Sequence, residues 1–349
     1  MQALLGIIFH SIGGFSSGSF YMPFKKVKGW AWESYWLVGG FFSWLIVPPV
    51  AAYLTVPNFG EIISTAAPTI KAFTYSMGLI WGIGGLTYGL GVRYLGMSLG
   101  NSITLGFCSA FGALVPSIYY NFYPTEGKVS FTDMLATTGG QLVLFGVLVC
   151  LIGIAISGKA GILKEQDFAV GHEDKDKDFS LVKGLIIAII SGILSSFFNF
   201  GIEAGKPMAE EAVRQGFNPL FQNNVTYVVL LWGGLTTNFI WCMYLNIKNK
   251  TYGDYTNDET PIVKNTMFSA LAGTMWFLQF FFYGMGESKL GNGASSWILH
   301  MATIILTANF WGFYLKEWSG VSKKTFNTFL WGIGLIMASI VIVGIGNSL

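Results

Sequence analysis

Ten runs of about 20 mostly apolar residues, the length a helix needs to cross a bilayer, are each closed off by charge or by clusters of Pro, Asn and Gly. They lie at 3–24, 32–54, 70–92, 97–120, 136–157, 183–204, 220–247, 265–286, 294–315 and 326–347, and they limit the chain to a helical bundle in lipid. Composition points the same way: only 11% of residues are Asp, Glu, Lys or Arg, against about 25% in a soluble domain. A net charge of +2 gives no footing for nucleic acid, and the 45 glycines, spread through apolar runs, suit close helix contacts. Cys108, Cys150 and Cys242 stand singly in apolar stretches, as packing residues and not as a disulfide set or a metal site. The first run has no positive charge ahead of it and Lys25, Lys26 and Lys28 just after it, the reverse of a cleavable signal. It is expected to stay in the mature protein.

Two of the runs share a skeleton. Trp81, Tyr88-Gly89-x-Gly91 and Leu95-Gly96 recur as Trp276, Tyr283-Gly284-x-Gly286 and Leu290-Gly291, each match 195 residues further on. Such an internal repeat in a polytopic membrane protein is the signature of secondary transporters, which hold substrate at the interface between repeats. The third and eighth runs are five spans apart, an odd number, so the copies thread the bilayer in opposite senses. A fainter echo, Gly13-x-x-Ser16-Ser17 and Gly192-x-x-Ser195-Ser196, pairs the first and sixth runs. The expected architecture is an all-α integral membrane protein of ten transmembrane helices, built as two inverted five-helix repeats.

Loop charge sets the orientation. Placing Lys25–Lys28 inside puts 15 of the 20 basic residues on the cytoplasmic side; basic loops resist translocation, so both termini are expected outside. The first repeat then covers 1–157, a cytoplasmic linker 158–182, and the second repeat 183–349. The HEDKDKD run from His172 to Asp178 reads as a solvated connector, because mixed charge without an apolar partner has nothing to fold around.

Six blocks resemble one known family. They are Tyr21–Glu33 (YMPFKKVKGWAWE), Trp81–Gly100, Ala204–Met208 (AGKPM), Met275–Gly286 (MWFLQFFFYGMG), Ser296–Met301 (SWILHM) and Leu315–Trp318 (LKEW). In order and spacing the chain is similar to the bacterial L-rhamnose–proton symporters of the drug/metabolite transporter superfamily. That resemblance implies a five-plus-five inverted repeat in the inner membrane and uptake of a 6-deoxyhexose driven by a proton gradient. The departures are the long charged linker at 165–178 and Glu203, where an uncharged residue is expected.

A pyranose offers hydroxyls that seek bidentate partners and a C–H face that stacks on aromatic rings, and rhamnose adds a methyl group that seeks an apolar niche. Trp276, Gln279 and Tyr283 stand three and four residues apart on one helical face. A buried amide is too costly against lipid tails, so Gln279 should face the bundle interior; its counterpart in the first copy is Gly84. Trp276 and Tyr283 serve sugar binding or interhelical packing, and Gln279 a ligand or a structural hydrogen bond. Trp81 and Tyr88 are the first-copy counterparts of the two aromatics. Trp297 and His300, three apart, add candidates on the ninth run, with Thr307 two turns further.

His10 and His300 are the histidines inside the expected spans, and an intramembrane group that titrates near neutrality is a candidate proton relay or ligand partner; the alternative is a neutral ring bonded to a backbone carbonyl. Glu203 is the carboxylate well inside an apolar run, three residues before Lys206. Glu33 and Glu317 read as interfacial or helix-end charges. The proton-coupling candidates are therefore His10, His300 and Glu203.

Enzyme signatures fail. Gly14-Phe15-Ser16-Ser17-Gly18 fits G-x-S-x-G by letter, but that chemistry needs a strand-to-helix elbow, and these letters lie in an apolar helix. No phosphate loop is present, so neither ATP nor another cofactor is implied. The expected partners are a neutral sugar, a proton and the lipid bilayer. A second reading keeps the fold and carries another neutral sugar or small metabolite, with sodium in place of the proton.

Overall fold

The computed structural model describes residues 2–124, 130–171, 180–290, 293–346 and 349. In chain order its helices are α1 (Gln2–Ser19), α2 (Tyr21–Phe24), α3 (Trp32–Gly40), a π-helical stretch (Phe41–Ile46), α4 (Val47–Thr55), α5 (Phe59–Thr65), α6 (Pro68–Leu95), α7 (Met97–Phe122) and α8 (Phe131–Ala136). There follow α9 (Thr138–Gly171), α10 (Leu181–Ser195), α11 (Phe197–Arg214), α12 (Asn223–Asn249), α13 (Ile262–Leu290), α14 (Gly293–Tyr314) and α15 (Lys323–Gly346). No strand occurs among the described residues.

Proline and glycine account for two interruptions. A proline ring cannot donate to the fourth carbonyl back and collides with it; just ahead of Pro48 and Pro49 the helix widens, and the Val47 N–H reaches five residues back to the Phe42 carbonyl. Between α6 and α7 the chain turns at Gly96, whose φ of 83° and ψ of 168° lie in an extended positive-φ region open essentially to glycine alone.

Among the described residues six stretches are long and apolar enough to cross a membrane: Trp32–Thr55, Ser98–Phe122, Thr138–Phe168, Leu181–Arg214, Pro219–Asn249 and Lys323–Gly346. The helices α1, α6, α13 and α14 are not among them. These four carry His10, Trp81, Tyr88, Trp276, Gln279, Tyr283, Trp297 and His300, and such polar and amphipathic side chains lower a helix's hydropathy.

The chain divides into two compact units, each drawn from both sides of the expected linker. The first holds Met1–Gly85 and Phe197–Gly291. Within it α1 lies along α13, α3 and the π-helical stretch pack on α12 and α13, and α11 packs on α12. The Gly78-x-x-x-Gly82 face meets α12 backbone to backbone: a methyl group on Gly78 would stand 2.0 Å from the Leu230 carbonyl oxygen, and one on Gly233 would stand 2.2 Å from that of Tyr75. The second unit holds Leu86–Ser196 and Asn292–Leu349. In it α9 runs along α15, and α7 packs against α9, α10 and α14.

Helix α9 continues past the expected end of its span at 157 to Gly171. Tertiary contacts hold the extra turns. Lys164 is buried beneath the rings of Phe168 and Trp318, and the Asp167 carboxylate accepts from the Ser322 N–H (2.8 Å) and the Thr325 hydroxyl (2.5 Å) ahead of and within the first turn of α15. An anion there also answers the positive end of the α15 dipole. The His172–Asp178 run lies outside the described residues.

Candidate functional site

In the first unit three tryptophans from three elements meet. Trp81 of α6 and Trp276 of α13 have ring centroids 5.3 Å apart. Trp44, from the π-helical stretch, sets its ring nearly perpendicular to both, at 6.3 Å and 5.7 Å. Such edge-to-face arrangements match the ring quadrupoles. The alignment of the elements is fixed beneath: Trp36 donates its indole N–H to Asn238 Oδ1 (2.9 Å), and the Asn238 amide donates to the carbonyls of Gly82 (3.1 Å) and Gly234 (2.8 Å), tying α3, α6 and α12 together.

A small pocket lies beside this cluster, walled by Phe20, Phe24, Trp36, Trp44 and Trp276, with Gly39, Gly40 and Gly273 leaving the space between them. It is far smaller than the roughly 300 Å³ at which drug-sized ligand sites begin, so a monosaccharide enters only as a wall moves. The Trp44 indole N–H is buried without a hydrogen-bond partner among the described residues. Buried donors are almost always satisfied, and a sugar hydroxyl is the partner such a donor suits. Trp44 was not singled out by the sequence; its one signal is the Pro48-Pro49 pair that forces the widened turn carrying it.

Trp276 begins a face on α13 that continues through Gln279 and Tyr283, as their spacing requires. Gln279 is 5% exposed and Tyr283 is fully buried. Here α1 arrives: the His10 ring meets Tyr283 edge-on at 5.4 Å and lies over Gly286, where a methyl group would stand 2.5 Å from its Nε2. Four residues beyond Tyr283 the same face carries Glu287, which accepts a hydrogen bond from the Asn223 amide of α12 (2.7 Å). Glu203 is half-buried on α11, three residues before the exposed Lys206. His10 and Tyr283 share this end of α13 with a carboxylate the sequence reading passed over, because the eighth span was expected to end at 286. The repeat itself held the signal: at the 195-residue offset Glu287 falls opposite Val92.

Tyr88, Trp297 and His300 belong to the second unit. The half-buried Tyr88 donates its hydroxyl to Asn101 of α7. Trp297 and His300 are buried on α14, with the Trp297 indole packed over Gly112 of α7. Asn309 fastens the two helices, accepting from the Ser98 hydroxyl (2.5 Å) and donating to that of Ser102 (3.0 Å). The Thr307 hydroxyl is turned back onto its own helix, at the Thr303 carbonyl (2.9 Å).

The other two carboxylates sit at helix ends. Glu33, in the first turn of α3, accepts from Asn249 and Thr251, both at 2.9 Å. Glu317 accepts the Ser98 N–H at the start of α7 (3.0 Å). Both sites favour negative charge through the helix dipole. Ser16 and Ser17 lie within the helix α1, where no nucleophile elbow can form.

A family model described as "L-rhamnose-proton symport protein (RhaT)" matches residues 1–348. The chain is 39% identical over 348 residues, 98% of each chain, to proteins named "L-rhamnose-proton symporter" from Yersinia pestis (strain Pestoides F) and Yersinia pseudotuberculosis serotype O:3 (strain YPIII). It is 38% identical over 347 residues, 98% of this chain and 97% of the relative, to the protein of that name from Shigella dysenteriae serotype 1 (strain Sd197).

Proposed function

Because this chain belongs to the L-rhamnose-proton symport family, we propose that it imports L-rhamnose, or a close 6-deoxy sugar, together with a proton. The observation that carries the reading on the protein itself is the Trp44–Trp81–Trp276 cluster beside its cleft. Aromatic faces take up the C–H side of a pyranose, the Trp44 N–H and the Gln279 amide supply polar contacts, and the apolar walls suit the 6-methyl group. In this reading Trp81, Trp276, Gln279, Tyr283, Tyr88, Trp297 and His300 are the residues that serve the sugar. His10, His300 and Glu203 are the groups that carry the proton.

The carrier is read as ten spans in the bacterial inner membrane, with both termini on the periplasmic side. Two inverted repeats, 1–157 and 183–349, are joined by the cytoplasmic linker 158–182. One packing similarity supports the inversion. Gly286 of the second copy receives α1, the first helix of its partner repeat, and the equivalent Gly91 lies against Ile187 and Ala188 of α10, where the other repeat begins. Two mirror-related packings of this kind let a central site face either compartment in turn.

The test is uptake of labelled rhamnose into proteoliposomes without sodium, with and without an imposed pH gradient. Accumulation that needs the gradient supports proton symport. Accumulation that needs sodium, or transport of other sugars but not rhamnose, overturns it.

A further inference from the structure

We infer that Asn238 is a positioning residue for the sugar pocket: by its bond to the Trp36 indole it pins one wall, and so sets the affinity for rhamnose and the preference over mannose. The inference rests on the sugar-carrier reading above and deepens it. Asn238 lies on α12, which supplies none of the walls named above. Its side chain is fully buried in a helix of membrane-spanning length. A buried amide is costly unless its polar atoms are met, and here the contacts are complementary. An indole N–H only donates and a carbonyl only accepts, so Oδ1 faces Trp36 (2.9 Å) and Nδ2 faces the carbonyls of Gly82 (3.1 Å) and Gly234 (2.8 Å). One acceptor and two donors on a short planar group describe asparagine, and neither aspartate nor leucine.

Both sides of that amide reach aromatic rings of the site. Turning the buried Trp36 ring would leave its N–H and the Asn238 Oδ1 without partners, which is the expensive way to lose a hydrogen bond. The Trp36 centroid lies 6.0 Å from that of Phe24 and 6.4 Å from those of Phe20 and Trp44, so a fixed Trp36 limits three further walls. On the other side Gly82 follows Trp81 in α6, and the Trp81 ring lies over Gly234, where a methyl group would stand 2.3 Å from its Cζ3. Trp44 differs: its indole N–H has no partner among the described residues, so no such bond restrains its ring. The pocket therefore has one wall pinned by Asn238 and one whose donor is open to a sugar hydroxyl. A pinned apolar wall keeps the pocket narrow, and the extra hydroxyl of mannose then finds neither partner nor water. A loosened wall weakens the fit to rhamnose and admits that hydroxyl more easily.

The test takes the full-length purified protein, with sugar affinity measured by calorimetry and stability by thermal unfolding. Wild type should bind rhamnose more tightly than mannose; absence of that preference would remove the pocket reading, and this inference with it. With the preference established, Asn238→Leu, which keeps the volume and removes all three contacts, should weaken rhamnose binding about 10-fold and mannose binding by less than about 3-fold. Trp36→Phe keeps a ring and removes the N–H, and should weaken rhamnose binding about 5-fold. The double variant should bind rhamnose no more weakly than Asn238→Leu, because both changes break one bond. Its unfolding midpoint should lie above that of Asn238→Leu, since no buried indole N–H is left unmet. A residue that serves only the fold lowers the amount of folded protein and leaves the selectivity of the remainder as it was. Wild-type affinity and selectivity in Asn238→Leu would thus overturn this inference alone, as would losses in the double variant that add in free energy. Should Asn238→Leu not fold, Trp36→Phe decides: a narrowed preference for rhamnose supports the inference, and an unchanged preference, or failure of this variant to fold as well, marks Asn238 as structural.

Discussion

The two copies of the Trp–Tyr-Gly-x-Gly skeleton share a shape and differ in chemistry. In the first copy Gly91 lies in ordinary contact with its neighbours, the nearest atom being 3.6 Å from where a methyl group would sit; Tyr88 is half-buried and bonded to Asn101, and the positions of interest are Gly84 and Val92. In the second copy Gly286 has the His10 ring pressed onto it, Tyr283 is fully buried, and the same positions are Gln279 and Glu287. Shared residues set how helices approach. The residues that differ, Gln279 and Glu287, bring polar groups to the second copy alone. On the proposed reading a duplicated fold keeps its symmetry for movement and its asymmetry for recognition.

The largest effect is expected where the second copy is tightest. Gly286→Val should force the buried His10 ring out of place, destabilise the protein by roughly 1–3 kcal/mol and abolish rhamnose uptake; a thermal unfolding midpoint and an uptake assay check it. Gln279→Ala should leave the fold intact and weaken rhamnose binding about 10-fold, as loss of a buried polar contact of about 1.5 kcal/mol implies. Trp44→Phe keeps an aromatic wall and removes the indole N–H. Its affinity for rhamnose should fall about 3- to 5-fold, again by titration of purified protein. At the low end, Gly91→Ala adds a methyl group where space exists and should change stability by less than about 1 kcal/mol and uptake by less than about 2-fold. Equal sensitivity of Gly91→Ala and Gly286→Ala would erase the contrast between the copies.

Much of this was legible in the residues. Apolar runs of spanning length become helices because lipid permits little else, and the glycines spread through those runs announced close contacts of the kind Gly78 and Gly82 make with α12. What stayed hidden depended on partners distant in sequence. The polar stretch after 157 reads as a connector until Lys164 and Asp167 find Trp318, Ser322 and Thr325. Trp44 is one aromatic among many until the π-helical turn brings it against Trp81 and Trp276. Glu287 sits one residue past the expected span end, and its hydrogen-bond partner Asn223 lies on another helix. The grouping into compact units was equally opaque, since each unit gathers helices from both halves of the chain.

Calorimetry of sugar binding, at two pH values and in buffers of different ionisation enthalpy, puts the central claim to the most direct trial. Proton uptake should accompany rhamnose binding, and rhamnose should be preferred over its hydroxylated relative mannose by about 1 kcal/mol or more, the worth of burying its methyl group. Equal affinity for the two sugars, with no proton taken up, would contradict both the apolar pocket as the sugar site and the coupling of its occupation to a proton.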